Sequence, residues 1–414
     1  MDLIYYLKNN LITDNTQNLD EKKLFLKTHQ NEKYAKNIIN FITPKELLNK
    51  LNLSTKFIGI TGTNGKTTTA FVLSFILKEL GFNVATQGTE GFYVNGKMIE
   101  PKTLTTPAIF TTIKRAFKYK PDFFIMEVSS HAIVQQRVEG IDFYAKIMTS
   151  FSQDHLDFHK NMQDYKKVKE SFFQDEAIKM VNGKVLIFKF QVPSEKCKVR
   201  SGGYEFEMNC KNLSILEKPI VNDIPMAGEF NKMNFSLAVK LSEIISKQFN
   251  ITWNLEGTLN AFKGVPGRME IVSKNPLIIV DFAHTPDGIE NVLKSIKGKK
   301  IVVFGAGGNR DRKKRPLMGK VASENADFVI LTNDNPRCED KIQIIDDIKK
   351  GIGIPYDIIL DRKEAIKKGI ELAKNENATL LMLGKGDEKY IQKCNKKIPF
   401  SDRQIIKNII KGIL

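Results

Sequence analysis

The sequence predicts an α/β protein built on parallel sheets, and three observations lead there. Short runs of Val, Ile, Leu and Phe recur between helical patterns, the alternation expected where buried parallel strands are joined by crossover helices. One run leads directly into a glycine-containing loop and a helix. Several later runs end in polar and charged residues, as strands do where their carboxyl ends face a ligand.

The strands expected on this basis are 57–60, 123–126, 278–280, 301–304, 328–331 and 380–383. Residues 183–225 alternate apolar and polar without that signal, and Gly264-Val265-Pro266-Gly267 is rich in turn formers. These features divide the chain into a small leading unit (1–45), a central α/β domain (46–263) and a C-terminal α/β domain (264–414). No internal repeat or low-complexity tract interrupts them.

The 414 residues suffice for two or three domains with real cores. The 64 basic and 47 acidic side chains leave a net charge of +17. The lysines are scattered, without a long basic block or interleaved aromatics, so the charge reads as a solvated surface plus sites for small anions, with no nucleic acid as partner. A P-loop ATPase that uses its basic surface on DNA is the rival from another class, and salt-dependent DNA affinity would reveal it. Cys197, Cys210, Cys338 and Cys394 lack close CxxC spacing, so neither a zinc site nor a disulfide scaffold is expected. The start, Met1 to Tyr6, has no basic segment leading into a long apolar one, and no apolar run reaches about 18 residues. A cytoplasmic protein with no membrane span is expected.

The strand 57–60 runs into Thr61-Gly62-Thr63-Asn64-Gly65-Lys66-Thr67-Thr68-Thr69 and then a helical pattern. This order offers backbone N–H groups and a helix N-terminus to phosphates, with Lys66 and the Thr67 hydroxyl reaching phosphate and Mg²⁺. Ile60 stands where the first glycine of the usual spacing belongs. The metal needs a hard oxygen ligand, and Glu127, at the end of 123–126, supplies one. Ser152 to His159 places Asp154, His155, Asp157 and His159 close together, a set of potential ligands. In Asp164 to Phe173, read as a helix, Tyr165, Val168 and Phe172 share a face and Lys169 leans toward it, while Lys166 and Lys167 point away. An inward lysine is either one that snorkels from the core edge or a neutral amine able to take up CO₂ as an anionic carbamate.

Further stretches complete a pattern: Glu127-Val128-Ser129-Ser130-His131 with Gln135 and Arg137, Asp154-His155-Leu156-Asp157, Gly228 to Asn234, Asp281 to Asp287 and Gly384-Lys385-Gly386. With the loop 61–69 they resemble, in order, the Mur ligases. The resemblance implies three domains: a shortened N-terminal domain for a UDP-linked substrate, a central P-loop ATP-binding domain and a C-terminal Rossmann-like domain for an amino acid. It implies ATP on Gly62, Thr63, Asn64, Gly65, Lys66, Thr67 and Thr68, with Asn234, Arg268 and Asp281. It implies Mg²⁺ on Thr67, Glu127, His155 and a carbamate on Lys169, with Lys66, Glu127, His155 and Lys169 as the catalytic set. Thr16, Thr105, Thr106, Ser129, Gln135 and Arg137 match positions that hold the UDP-muramoyl substrate.

In this family Asp-Asn-Pro-Arg, here Asp334-Asn335-Pro336-Arg337, marks enzymes that add meso-diaminopimelate rather than lysine. The chemistry agrees, because a planar guanidinium pairs with the distal carboxylate that lysine lacks. The implied amino-acid site is Arg310, Asp334, Asn335, Arg337, Gly384 and Glu388. The implied reaction is ATP-dependent amide formation on the D-glutamate of UDP-N-acetylmuramoyl-L-alanyl-D-glutamate, through an acyl phosphate, by a monomer. The chain departs from the family pattern at Asn15-Thr16-Gln17, where Asp-Ser-Arg is usual, and at Ser150, Asn309 and Asp387.

Overall fold

The computed structural model of the protein describes residues 2–101, 104–156, 158–187 and 196–412, with the backbone alone for 184–187. The chain forms two compact units, 1–151 with 158–221 and 233–261, and 152–157 with 222–232 and 262–414.

The first unit is built on an eight-stranded sheet, in spatial order Leu213–Leu216, Ile178–Asn182, Phe143–Met148, Lys56–Thr61, Phe123–Glu127, Val84–Gly88, Gly91–Val94 and Lys97–Glu100. The first six are mutually parallel and the last two turn back antiparallel. Strands covered on both faces need continuous apolar runs, and Phe123 to Met126 are fully buried accordingly. The helix Lys66–Glu79 lies on this sheet with Val72, Leu73, Ile76 and Leu77 inaccessible to solvent.

Residues 1–45 contribute their own three-stranded parallel sheet, Ile12–Thr13, Leu24–Leu26 and Phe41–Ile42. It shares a core with the helix Ile109–Tyr119 through Leu24, Leu26, Ile42, Ile109, Phe110 and Ile113. Thr43 and Glu46 form a reciprocal cap on the next helix, Pro44–Leu51, with Pro44 in the first turn.

The second unit holds a six-stranded sheet in the order Glu270–Lys274, Leu277–Asp281, Thr379–Leu383, Lys300–Phe304, Phe328–Leu331 and Tyr356–Ile358, parallel except for the first strand. The expected strands are thus all present, each within a residue of its expected limits. Among the described residues no helix is long and apolar enough to cross a membrane.

Two expectations change. The cysteines, expected to stay unpaired, lie in two bonded pairs, Cys197–Cys210 and Cys338–Cys394. Antiparallel pairing of Lys196–Ser201 with Tyr204–Asn209 brings the first pair together, and a β-bridge between Arg337 and Lys393 brings the second. Lys166 is not on an open face either: its side chain is 16% exposed, paired with Glu170 at 3.6 Å and lying over the ring of Phe206. The strand Tyr204–Asn209 covers that side of the helix Met162–Ser171, which the helical period alone cannot reveal.

A buried ion pair ties the carboxyl edge of the second sheet. Arg362 and Asp402 are both inaccessible and joined by two hydrogen bonds of 2.8 and 2.6 Å. Arg362 also donates to the carbonyls of Asn333 (3.0 Å) and Leu383 (3.1 Å), the residues just before Asp334 and Gly384. Removing one partner leaves a desolvated charge, so Asp402→Ala is expected to lose about 3–5 kcal/mol in urea unfolding. Lys320→Ala, which opens an exposed pair with Glu324, should lose less than about 1 kcal/mol in the same measurement.

Candidate active site

In the first unit, the strand Lys56–Thr61 delivers the loop 62–65 to the N-terminus of the helix Lys66–Glu79. Gly65 has φ 87°, and a Cβ there would lie 2.4 Å from Asn234 Oδ1, so the loop closes against Asn234 only with glycine. Ser150 substitutes for the usual asparagine as a tie to the loop. Its hydroxyl accepts from the Asn64 N–H (2.9 Å) and donates to the Asn64 carbonyl (3.0 Å), while its carbonyl accepts from Thr63 N–H (3.0 Å). Lys66 Nζ folds over the loop and donates to the carbonyls of Gly62 (2.7 Å) and Thr63 (2.8 Å).

Glu127 ends its strand and is 1% exposed. Its Oε1 accepts from the Thr67 hydroxyl (2.9 Å) and the Thr89 N–H (2.9 Å), and its Oε2 from the Thr89 hydroxyl (3.0 Å). Its backbone carbonyl accepts from Thr106 Oγ1 (2.9 Å), which in turn accepts from the Ser129 N–H (3.1 Å). Thr105 Oγ1 is 3.2 Å from Thr89 Oγ1. Arg137 donates to the Thr106 carbonyl (2.8 Å) and to Gln135, and burial pulls its guanidinium below its ordinary value. Thr67, Glu127, Thr105, Thr106, Ser129, Gln135 and Arg137, predicted from separate stretches, therefore form one connected network. A Thr hydroxyl beside a carboxylate is a hard-oxygen pair suited to Mg²⁺, which takes few protein ligands when phosphates supply the others.

Lys169 is 1% exposed, and its Nζ donates to Thr61 Oγ1 (2.6 Å) and Gly62 O (3.3 Å) at the mouth of the loop. That placement decides against the snorkelling alternative. A cleft of about 1000 Å³ in the same unit is lined by Lys27, His29, Lys33, Lys36, Gln135 and Phe158, among others. Thr16 begins a 3₁₀ turn and is not one of its lining residues.

In the second unit, Asp154 Oδ1 accepts from the His155 N–H (2.9 Å), and its Oδ2 lies 3.4 Å from Nε2 of that ring. Burial alone would raise Asp154, but the neighbouring His155, His284 and Lys314 outweigh it and hold it low. Asp281 is raised by burial while it accepts from the N–H groups of Met269 and Ala283, each at 2.7 Å. Arg268 stacks on Phe282 at 4.5 Å beside it.

Asp334 and Asn335 follow Phe328–Leu331, and Arg310 follows Lys300–Phe304, at the carboxyl edge. Burial, first, and the like charge of Arg310 pull Arg337 down. Asp334 is buried, and its Oδ2 has no hydrogen-bond partner among the described residues; it lies 2.7 Å from where a Cβ on Gly384 would stand. Glu388 Oε2 accepts from Asn335 Nδ2 (2.7 Å) and from Lys385 Nζ (3.0 Å), with Lys385 inaccessible. Two guanidiniums and a buried carboxylate with one oxygen lacking a described partner suit a zwitterion with a further carboxylate.

Sequence reasoning missed Gly88, which ends an unremarked strand, Thr89 directly after it, and the buried arginines 315 and 362. A glycine and a threonine at the carboxyl end of a buried strand were the available signal.

The fold and this network define a P-loop ligase. The Mur ligase middle domain matches residues 60–242 and the Mur ligase glutamate ligase domain matches 267–386. The chain belongs to the Mur ligase family. It is 40% identical over 427 aligned residues to the UDP-N-acetylmuramoyl-L-alanyl-D-glutamate--2,6-diaminopimelate ligase of Helicobacter pylori, covering 96% of this chain and 95% of that one. A solved structure with the same protein name shares the fold at TM-score 0.57 and 24% identity, covering 97% of this chain and 94% of its own. Mycobacterium tuberculosis folylpolyglutamate synthase, solved with ADP and AMPPCP, shares it at TM-score 0.61 and 15% identity, covering 89% and 94%.

A Cβ on Gly88 would stand 2.2 Å from Glu127 Oε1. Gly88→Ala is therefore expected to push the carboxylate off Thr67, lower stability by about 1–3 kcal/mol and cut ATP turnover at least tenfold, read by thermal melting and phosphate release.

Proposed function

We propose that the protein joins meso-2,6-diaminopimelate to the D-glutamate of UDP-N-acetylmuramoyl-L-alanyl-D-glutamate, using ATP, in peptidoglycan precursor synthesis. The observation that carries this reading is the amino-acid edge: Arg310 and Arg337 side by side, with Asp334 Oδ2 lacking a partner. The Helicobacter pylori relative, which carries that activity in its name, supports it across nearly the whole chain.

The substrate carboxylate attacks the γ-phosphorus, ADP leaves, and an acyl phosphate forms. The diaminopimelate amine then attacks the acyl carbon, inorganic phosphate leaves, and the amine loses a proton. In this reading Lys66 and the loop N–H groups hold the transferring phosphate, and the work of the site is positioning and charge neutralisation. Thr67, Glu127 and a carbamate on Lys169 would hold Mg²⁺, which supplies neutralisation of phosphate charge, and His155 joins that set by its place in the family motif. The buried Lys169, with its desolvated environment, supports the carbamate. Ser129, Arg137, Thr105, Thr106 and Gln135 serve the muramoyl substrate. The basic cleft at Lys27, His29, Lys33 and Lys36 supports the UDP diphosphate there, in place of the Thr16 region. Arg310 and Arg337 take the distal carboxylate, and Asp334 and Glu388 the ammonium of the same end. The cytoplasm, where ATP and UDP-linked precursors occur together, is the proposed compartment.

Phosphate release by the purified protein with the muramoyl dipeptide and a panel of amines tests the reading. meso-Diaminopimelate is expected to exceed L-lysine in kcat/KM by at least tenfold, since lysine leaves Arg337 without its anion, at about 1–3 kcal/mol. Equal values for the two, or release driven by L-glutamate instead, would sink it. Lys169→Ala is expected to abolish turnover with the fold intact, with partial rescue by acetate or formate. Lys167→Ala, on an exposed position of the same helix, is the silent control.

A further inference from the structure

Two loops carry the arginines of the amino-acid edge, and each loop is braced by the other. A Cβ on Gly308 would lie 1.9 Å from the Pro336 carbonyl, and one on Gly307 would lie 2.8 Å from Arg337 Nη1 and 3.7 Å from Arg310 Cγ. The stretch after Lys300–Phe304 is thus pressed backbone to backbone on the stretch after Phe328–Leu331, and Gly307 sits between the two guanidinium arms.

Hydrogen bonds cross this seam in both directions. Gly308 N–H donates to the Asn335 carbonyl (2.9 Å), Arg337 Nη1 to the Gly308 carbonyl (2.6 Å), and Cys338 N–H to Asn309 Oδ1 (3.1 Å). Asn309 and Arg337 both have left-handed backbone, φ 51° and 50°. Asparagine tolerates that region and arginine does so at a cost, so the neighbours must hold Arg337 in it.

Glu339 closes the seam. Its Oε2 accepts from the Asn309 N–H (2.8 Å), and its two oxygens take a two-pronged contact from Arg315, at 2.6 and 2.7 Å. Arg315 is inaccessible to solvent, and it also donates to the Gly307 carbonyl (3.3 Å) and to Asp347 (3.1 Å). One buried guanidinium and one carboxylate therefore grip residues 307, 309 and 339 at once, on either side of Arg310 and Arg337.

We infer that Arg315 and Glu339 are positioning residues for amino-acid selection: they hold Arg310 and Arg337, two groups that repel each other, at the spacing that receives a distal carboxylate. The inference rests on the reading under Proposed function and extends it to residues that touch no substrate. A grip that acted on stability alone would weaken use of every amine equally. A grip on the arginine pair weakens use of diaminopimelate selectively, because lysine makes no contact through a distal carboxylate.

The test is steady-state kinetics of wild type, Glu339→Gln and Arg315→Lys with meso-diaminopimelate and L-lysine, alongside thermal melting. Glu339→Gln keeps the side-chain size but removes the charge that Arg315 clasps. Arg315→Lys keeps the positive charge beside Glu339 but gives up the two-pronged contact, so it carries the test should Glu339→Gln fail to fold. The expected result is a tenfold or larger rise in KM for diaminopimelate, kcat within threefold of wild type, unchanged KM for ATP, and a preference over lysine reduced by the same factor. Glu339→Asp should recover part of that preference. Folded variants that keep the wild-type preference, whatever their melting temperature, overturn the inference while leaving the functional reading intact. A wild type that releases no phosphate with diaminopimelate overturns that reading, and this inference with it.

Discussion

The organisation of the first unit depends on one buried carboxylate. Glu127 is almost completely out of water, and a desolvated anion is tolerated only where donors surround it. Those donors come from the phosphate loop, through Thr67, and from the turn after Val84–Gly88, through Thr89. Meeting the needs of Glu127 therefore fixes two loops against each other, and Thr106 on its backbone carbonyl adds a third. The absence of a Cβ at Gly88 is part of the same constraint, because the carboxylate occupies that space.

The amino-acid edge of the second unit uses the opposite arrangement. Its supporting charges are paired, Arg362 with Asp402 and Arg315 with Glu339 and Asp347, and within the edge Lys385 pairs with Glu388. The groups that face the edge are left in tension: two guanidiniums repel, and a buried carboxylate oxygen has no donor among the described residues. Paired charges set behind two like-charged guanidiniums and one carboxylate oxygen without a described donor give a site whose electrostatics a ligand completes, at some cost to the empty protein.

Two of the departures from the family pattern carry hydrogen bonds of their own. Ser150, in place of asparagine, both accepts from and donates to the backbone of Asn64. Asn309, in place of aspartate, accepts from Cys338 N–H through its amide oxygen, which an aspartate oxygen could equally do. In both places a hydrogen-bonding group at a set position, rather than one residue type, can make the contact.

The sequence by itself determined the strands, since a run such as Phe123 to Met126 can be buried on both faces of a sheet and nowhere else with equal ease. It determined the phosphate loop, whose chemistry is local: strand, glycines, lysine, threonine and helix are contiguous. It also placed Lys169 inward, because a helical period is a local property. Only the tertiary structure decided that Lys166 is mostly covered, that the four cysteines pair, and that Thr89, Arg315, Glu339 and Arg362 support the two sites. Those outcomes depend on which other segments folding brings alongside, as Arg362 meets Asp402 from 40 positions away. A buried arginine reads in sequence like an exposed one, and what sets it apart is the carboxylate and the carbonyls that folding brings to it.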